Sequence, residues 1–307
     1  MSDSDIPVRS LGKTGAMVSA LGVGGYHLGD VAQREAIRIV HAAIDAGVTF
    51  MDNAWEYHEG KSEEVMGKAL VGRRQGVFLM TKCCSHGRDA KTAMRQLEQS
   101  LKRLKTDHLD LWQIHEVVYD DDPARHYEPG GAIEALAKAK QDGKTRFVGF
   151  TGHKDPAIHL DMLRRGFAFD TVQMPLNCFD ASFRSFQARV LPELVRRRIG
   201  VIGMKSLGDG TGIKKRAVPA TEALRYAMSL PVATTVSGID SMRVLKQNLG
   251  VARGLTPMTD AERKELEKRV SPVATDGRFE LYKSSKKHDG PIGRKQHGFP
   301  APDELAG

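Results

Sequence analysis

Long apolar runs and cysteines are scarce in this chain of 307 residues. No stretch approaches the ~20 apolar residues that a membrane helix needs, and the opening MSDSDIPVRS lacks the basic and then apolar pattern of a signal peptide. The cysteines at positions 83, 84 and 178 show no metal-like spacing, and the adjacent pair cannot easily bridge without strain. We therefore expect a cytoplasmic protein with reduced thiols, no membrane span and no metal site.

A strong excess of one charge is also missing. Lys and Arg number 46, Asp and Glu number 38, and the net charge is +8. The basic residues are spread along the chain, apart from a cluster at 283–295, and no nucleic-acid-binding motif accompanies them. We expect a solvated surface with a site for a cofactor phosphate, and no nucleic-acid partner.

Two patterns alternate along the chain. Short apolar runs bounded by Gly, Asp or Thr predict strands at 20–24, 49–52, 77–82, 109–115, 146–149, 171–174, 200–204 and 233–237. Stretches with apolar residues near every third or fourth position predict helices at 34–46, 63–70, 90–104, 132–141, 156–165, 189–198, 221–230 and 242–252. Eight strand–helix units in strict alternation predict a parallel (β/α)8 TIM barrel.

The competing fold is a doubly wound open sheet. That fold usually carries G-x-G-x-x-G after its first strand, whereas GVGGYH at 22–27 lacks the third glycine. Around the barrel, apolar pairs flanking GKTG at 12–15 predict an N-terminal β-hairpin cap. We expect one barrel domain over 1–275, and a polar tail over 276–307 that is extended or mobile.

Ionisable side chains follow three successive strands. Asp52 ends the second strand with Tyr57 shortly after it, Lys82 ends the third, and His115 ends the fourth. Because active sites of such barrels lie at the carboxyl ends of the strands, we expect these four side chains to meet. Singly, each has an ordinary structural explanation, but together they would incur a desolvation cost without a function.

This combination suits proton transfer. A phenol with its usual pKa near ~10 exchanges protons poorly at neutral pH. A neighbouring lysine ammonium favours the phenolate, and an aspartate keeps that lysine charged and oriented. We expect Lys82 to lower the pKa of Tyr57, with His115 orienting a substrate oxygen.

The chain resembles the aldo-keto reductase superfamily from about 8 to 252. VTFMDNAWEY at 48–57 followed by GKSE at 60–63 resembles the most diagnostic segment of that family, and LDLWQIH at 109–115 resembles the segment with its histidine. The resemblance implies an oxidoreductase that uses NADP or NAD and acts on a small carbonyl or alcohol substrate. It implies catalytic roles for Tyr57, Lys82, Asp52 and His115.

The resemblance also implies contacts with the cofactor and the substrate. Gln173 and Thr151 match residues that hold the carboxamide, but Gly152 replaces an asparagine, which makes His153 a substitute donor, and Met204 replaces an aromatic. The predicted cofactor contacts are Gly24, Thr151, His153, Gln173, Met204, Lys205, Ser206, Leu207, Gly208, Ser237, Gly238, Asp240, Gln247 and Asn248. The predicted substrate contacts are Tyr26, Trp55 and Glu116.

The cofactor preference rests on one departure from the family. Where members that prefer NADPH often place Arg or Lys, this chain has Asp240, with Arg243 only later. A carboxylate repels a 2′-phosphate and can accept from ribose hydroxyls. We hypothesise that NADH is tolerated or preferred.

Two other function classes stay open. Lys82 or Lys205 could form a Schiff base in an aldolase or isomerase, although Asp52 beside Lys82 argues against it there. The chain could instead be a non-catalytic, cofactor-binding regulatory subunit. The substrate, the direction of reaction and the oligomeric state are left open by the sequence.

Overall fold

A computed structural model describes residues 5–84, 89–291, 295 and 300–304. Two short strands, β1 (Val8–Ser10) and β2 (Met17–Ser19), pair antiparallel as the predicted hairpin. The next eight strands pair in parallel and close into the predicted barrel, so the fold class is confirmed. They are β3 (Leu21–Gly24), β4 (Phe50–Asp52), β5 (Phe78–Cys84), β6 (Leu109–His115), β7 (Thr145–Thr151), β8 (Thr171–Pro175), β9 (Gly200–Met204) and β10 (Thr234–Gly238).

Helices surround the barrel. Those that follow successive strands are α2 (Gln33–Asp45), α3 (Lys61–Ala69), α4 (Ala90–Leu104), α6 (Ala132–Gln141), α7 (Pro156–Arg164), α9 (Leu191–Arg197), α11 (Ala220–Ser229) and α12 (Met242–Arg253). Shorter helices lie between them: α1 (Tyr26–Asp30), α5 (Asp122–Tyr127), α8 (Phe186–Arg189) and α10 (Thr211–Lys214). A glycine in the left-handed region follows both α2 and α6, where Gly47 and Gly143 have φ of 94° and 70°.

Helix α13 (Asp260–Ala274) was missed by the sequence-based assignment. Its apolar stripe is narrow, with Leu266, Val270 and Ala274 as its buried residues. The start nevertheless carries a local signal, because Thr259 accepts from the Glu262 backbone N–H and Glu262 accepts from the Thr259 backbone N–H. This reciprocal capping is readable as T-x-x-E in the sequence.

Apolar side chains fill the hairpin end of the barrel. Leu11 and Val18 from the hairpin region join Phe50, Met80 and Ile202 from the strands in one buried cluster. A second, larger cluster lies between the strands and the surrounding helices. Because the hairpin end is packed, polar chemistry is confined to the opposite end, where the strands finish.

Residues 280–290, which we call the C-terminal strap, pack against loops at that opposite end. The strap includes α14 (Leu281–Ser284), whose Lys283 is buried and pairs with Asp180 Oδ1 at 2.6 Å and Glu280 Oε2 at 2.9 Å. Further along, Asp289 Oδ1 lies 2.6 Å from Lys154 Nζ. This part of the tail is therefore folded and tied down by buried charge pairs, whereas 292–294, 296–299 and 305–307 lie outside the described residues.

Within the described residues, every helix is too short or too polar to cross a lipid bilayer. The cytoplasmic location stays a prediction.

Candidate active site

Three ionisable side chains come together at the carboxyl end of the barrel. Asp52 and His115 are the last residues of β4 and β6, and Lys82 lies near the end of β5 between them. The parallel register brings these strand ends to one edge, with Lys82 opposite Gln113 of β6. Asp52 and Lys82 are almost fully buried, at 2% and 1% exposure.

Asp52 and Lys82 form a buried ion pair with satisfied partners. Lys82 Nζ lies 2.7 Å from Asp52 Oδ1 and donates to the backbone oxygen of Asn53 at 2.7 Å. The other carboxylate oxygen, Oδ2, accepts from Gln173 Nε2 at 2.7 Å. Partners of this kind are what make two buried charges tolerable, because each charge removed from water otherwise costs several kcal/mol.

Tyr57 lies beside this pair. It begins a short 3-10 helix, Tyr57–Gly60, and its hydroxyl accepts from Lys82 Nζ at 3.5 Å. The rings of Tyr26 and His115 meet the Tyr57 ring edge-on, with centroids 5.3 and 5.5 Å away. His58, with φ of 50°, turns the chain after Tyr57, and its Nε2 contacts the Tyr26 backbone oxygen at 2.9 Å.

The pKa of Tyr57 lies well above its usual value, raised first by burial and then by the nearby carboxylates Asp52, Glu56 and Glu116. This is opposite to the lowering that we expected from Lys82. The reason is geometric, because Lys82 is closer to Asp52 than to the phenol, so its charge is largely matched by that carboxylate. Tyr57 is therefore a neutral phenol, able to donate a proton, at neutral pH.

His115 contacts a carboxylate that the sequence analysis did not assign to the site. His115 Nδ1 lies 2.7 Å from Glu56 Oε1, and each side chain is 9% exposed. Glu116 lies next to them, with Oε2 accepting from the Gly290 backbone N–H of the C-terminal strap at 3.1 Å. Ligand-type atoms of Glu56, His115 and Glu116 all lie within 4.8 Å of one another. The position of Glu56 directly before Tyr57 was the available sequence signal.

Polar groups suited to a carboxamide lie at the ends of β7 and β8. Gln173 Nε2 donates a hydrogen bond to Asp52, and the buried Oε1 of Gln173 has no hydrogen-bond partner among the described residues. His153 is 4% exposed, and its Nε2 likewise has no partner in the described part of the chain. Thr151 Oγ1 donates to Met204 Sδ at 3.8 Å. Burial and the Lys205 charge hold the pKa of His153 well below its usual range, so its ring is neutral.

The loop after β9 makes a tight turn at Lys205. Lys205 has φ of 53°, and its carbonyl accepts from the Gly208 backbone N–H at 2.9 Å. Gly208 has φ of 64°, and a Cβ there would lie 2.4 Å from the Phe279 carbonyl oxygen, so only glycine fits. Ser206 is buried, and Leu207 is partly buried against the core. Burial lowers the pKa of Lys205, whose Nζ lies 4.8 Å from the centre of the Tyr282 ring.

Several of the predicted cofactor contacts lie where β10 leads into α12. Asn248 Nδ2 donates to Ser237 Oγ at 3.0 Å, which ties the helix to the strand. Asp240 is exposed, and its Oδ1 accepts from Ser241 Oγ at 3.0 Å. The remaining members of this predicted set are Gly24 and Gly238, which pair across β3 and β10, and the half-buried Gln247.

Close packing leaves no room for a side chain at Gly152. A Cβ on Gly152 would lie 2.2 Å from the Val117 backbone oxygen and 2.8 Å from His159 Cε1. No side chain can therefore leave the backbone there without moving the loop after β6. His153 is the next residue that could offer a polar atom to the same region.

Gly152→Ala is expected to destabilise the fold by about 1–3 kcal/mol, because overpacking against backbone cannot be relieved by a rotamer change. Urea unfolding followed by circular dichroism measures the effect. Gly76→Ala is the matched control, since no heavy atom lies within 4 Å of its Cβ position. Equal stability of the two variants would contradict the close packing.

The predicted substrate contacts differ in their surroundings. Tyr26 is 50% exposed and meets the Tyr57 ring, so it lies at the open side of the site. Trp55 donates from Nε1 to Gln99 Oε1 at 2.7 Å and stacks near the Arg103 guanidinium of α4. Trp55 is thus engaged by the outer helix, while Glu116 adjoins His115.

A family model described as the aldo/keto reductase family matches residues 20–217. L-galactose dehydrogenase of Arabidopsis thaliana is 33% identical over 248 residues, which cover 74% of this chain and 75% of that protein. The 6-dehydroglucose reductase of Novosphingobium aromaticivorans is 33% identical over 167 residues, 48% of this chain and 53% of that protein.

Solved structures give the same assignment. An aldo-keto reductase of Bacillus halodurans in its holo form has a TM-score of 0.73 and 26% identity, and the match covers 86% of this chain and 96% of that one. An aldo/keto reductase of Klebsiella pneumoniae, solved with NADP and acetate, has a TM-score of 0.69 and 24% identity over 86% of this chain and 95% of that one.

Proposed function

Because the chain belongs to the aldo/keto reductase family of oxidoreductases, we propose that it transfers a hydride between a nicotinamide cofactor and the carbonyl or alcohol carbon of a small substrate, with Tyr57 as the general acid or base. The observation that carries this proposal is the contact series from Asp52 through Lys82 to the Tyr57 hydroxyl, with His115 beside it. The experiment that tests it is turnover by Tyr57→Phe.

Proton transfer in this scheme uses the neutral phenol. In the reductive direction Tyr57 gives its proton to the carbonyl oxygen as hydride reaches the carbon. The phenolate that results lies 3.5 Å from the Lys82 ammonium, which stabilises it. Asp52 holds Lys82 in place through their ion pair, with Oδ1 2.7 Å from Nζ. In the oxidative direction the phenolate takes the proton back from the alcohol. Since burial raises the pKa of Tyr57, we expect reduction to be the faster direction at neutral pH.

The residues present fit a nicotinamide cofactor, which supplies or accepts the hydride. Gln173 Oε1 and His153 Nε2 are buried polar atoms without partners among the described residues, and a carboxamide offers both a donor and an acceptor. Lys205 offers a cation to a pyrophosphate. The Klebsiella pneumoniae relative, solved with NADP, supports the same type of cofactor here.

A small aldehyde, ketone or sugar is the proposed substrate. Two relatives at 33% identity are named as a galactose dehydrogenase and a dehydroglucose reductase, which supports a sugar or a related hydroxylated carbonyl. Carboxylates Glu56 and Glu116 next to Tyr57 accept hydrogen bonds from hydroxyls and repel anions. We therefore propose that neutral, hydroxylated carbonyl compounds are preferred over oxoacids.

NADH is proposed to be tolerated or preferred as the cofactor. The exposed carboxylate of Asp240 repels a 2′-phosphate, and Asp240→Ser should lower the Michaelis constant for NADPH about three- to tenfold while that for NADH changes little. Steady-state kinetics with both cofactors measure this. Asp5→Ser, at an exposed acid near the hairpin, is the control. Far tighter NADPH binding by the unaltered protein would contradict the hypothesis.

One observation favours the Schiff-base alternative. Burial lowers the pKa of Lys205, and an amine with a lowered pKa is the form that attacks a carbonyl. Lys82 is instead engaged by the Asp52 carboxylate, which lies 2.7 Å from its Nζ. Borohydride treatment with substrate and without cofactor discriminates, since a covalent adduct at Lys205 would indicate an aldolase or isomerase.

A further inference from the structure

Arg103 of α4 donates to the loop that carries Tyr57, although it lies outside the predicted catalytic and binding residues. We propose that Arg103, oriented by the buried Glu63, is a positioning residue for Tyr57. The pair clamps the segment 55–60 and thereby fixes the Tyr57 hydroxyl beside Lys82. This inference rests on the proposed function, in which Tyr57 exchanges the proton.

The guanidinium of Arg103 contacts both ends of segment 55–60. Its Nη1 donates to the Trp55 backbone oxygen at 2.9 Å, two residues before Tyr57. At the other end, a Cβ on Gly60 would lie 2.2 Å from Arg103 Cζ, so the guanidinium packs directly on the Gly60 backbone. Gly60 ends the 3-10 helix that Tyr57 begins, and its φ of 94° also favours glycine. Arg103 therefore spans the turn that carries the phenol.

The backbone of Trp55 is held from a second direction by β5. Its N–H donates to the Lys82 backbone oxygen at 3.0 Å, while its carbonyl accepts from Arg103. Trp55 is thus fixed between the strand that carries the lysine ammonium and the outer helix α4. The contact between Lys82 Nζ and the Tyr57 hydroxyl is 3.5 Å long, so a shift of the loop would soon break it. A misplacement of about 1 Å between reacting groups can lower a rate roughly 10²-fold.

Glu63 holds the Arg103 side chain in this position. Glu63 is fully buried, its Oε2 accepts from Arg103 Nη1 at 3.2 Å, and its Oε1 accepts from Thr81 Oγ1 at 2.6 Å. Thr81 directly precedes Lys82, so these contacts begin on the strand that carries the lysine. The backbone of Arg103 is fixed as well, because a Cβ on Gly67 of α3 would lie 2.3 Å from the Arg103 carbonyl oxygen. The clamp is therefore attached to both α3 and β5.

Arg103→Met removes the guanidinium and keeps most of the side-chain stem. Hydride transfer in the reductive direction, measured by stopped flow, is expected to slow about 10–100-fold. The Kd of the cofactor should change little, because the predicted cofactor contacts lie on other strands. Arg95→Met is the matched control, since it removes the same charge from an exposed position of the same helix and should keep the wild-type rate.

The double variant Glu63→Gln/Arg103→Met separates positioning from stability. It leaves no buried carboxyl group without its cation, and the amide oxygen can still accept from Thr81 Oγ1, so part of the stability lost in Arg103→Met should return in urea unfolding. The rate should stay low, because the Trp55 carbonyl still lacks its guanidinium donor. A rate that returns together with stability would overturn the inference, since Arg103 would then act through the fold alone.

Trp55 provides a readout that needs no catalysis. The chain has two tryptophans, of which Trp112 is fully buried and Trp55 is partly exposed. Acrylamide quenching of tryptophan fluorescence therefore reports mainly on Trp55, whose ring centre lies 5.7 Å from Arg103 Cζ. Arg103→Met is expected to raise the quenching constant, and Arg95→Met to leave it unchanged. An unchanged constant in Arg103→Met would mean that no clamp holds this loop.

Comparison with Tyr57→Phe distinguishes failure of this inference from failure of the proposed function. If Tyr57→Phe is inactive while Arg103→Met transfers hydride at the wild-type rate, the positioning role is wrong and the proposed function stands. If Tyr57→Phe keeps the wild-type rate, the proposed function fails and the positioning role fails with it. A slow Arg103→Met with raised quenching, together with an inactive Tyr57→Phe, is the expected result.

Discussion

Tyr57→Phe is expected to lower kcat for carbonyl reduction by about 10²–10⁴-fold, the usual contribution of a positioned general acid. The substitution removes a hydroxyl and leaves the ring, so the edge-on contacts with Tyr26 and His115 persist. Cofactor affinity should change little, because the predicted cofactor contacts lie on other strands. Stopped-flow measurement of hydride transfer, together with cofactor titration by fluorescence, checks both expectations.

Tyr127→Phe is the matched control for this substitution. Its hydroxyl donates to the Met162 backbone oxygen at 2.9 Å, on the outer helices and away from the strand ends. It should keep the wild-type rate. If Tyr57→Phe also kept it, the proton would come from elsewhere, and the chain would be either an enzyme of a different mechanism or a non-catalytic subunit.

The barrel could be predicted from the sequence because its burial pattern is local. Leu109–His115 and Gly200–Met204 are buried strands with the bounds that their apolar runs predict, and α4 and α6 likewise begin and end where predicted. The fifth strand of the barrel was predicted too short, at 146–149 instead of Thr145–Thr151. The residues that the prediction missed are Thr145 at the start and Phe150 and Thr151 at the end, all of which are buried.

The electrostatics of the site could not be predicted in the same way. The expected direction of the Tyr57 pKa shift is wrong, because that pKa depends on burial and on all the charges that face the phenol, and not on Lys82 alone. Glu56 and Glu116 contribute there, and Glu116, unlike Glu56, is far from Tyr57 in the sequence. Similarly, the contact of Gln173 with Asp52 joins residues 121 positions apart, which no local pattern reports.

The C-terminal strap illustrates the same limit at larger scale. Its composition is that of a polar tail, yet Lys283 is fully buried between Asp180 and Glu280. Lys, Asp and Glu side chains are usually exposed to solvent, so none of these three residues would be expected in the interior from its type alone. Their burial follows from three charges meeting over a sequence separation of about a hundred residues, 103 between Asp180 and Lys283. The strap thereby becomes one side of the site through Gly290 and Glu116.

Lys82→Met is expected to destabilise the fold by about 3–5 kcal/mol and to abolish activity, because it leaves the Asp52 carboxylate buried without its cation. Methionine retains the length and much of the volume of the lysine stem, so packing changes little. Urea unfolding measures the loss of stability. An unchanged midpoint would show that the hydrogen bond from Gln173 is enough to compensate Asp52 without Lys82.

The double variant Asp52→Asn/Lys82→Met separates the two roles of the pair. Its amide oxygen still accepts from Gln173 Nε2, and no buried charge remains, so most of the lost stability should return. Activity should not return, because the phenolate formed at Tyr57 no longer has a cation 3.5 Å away. Recovery of both properties would mean that the ion pair is structural and that Tyr57 works without it. Recovery of stability without recovery of activity would show that the Asp52–Lys82 ion pair takes part in the reaction.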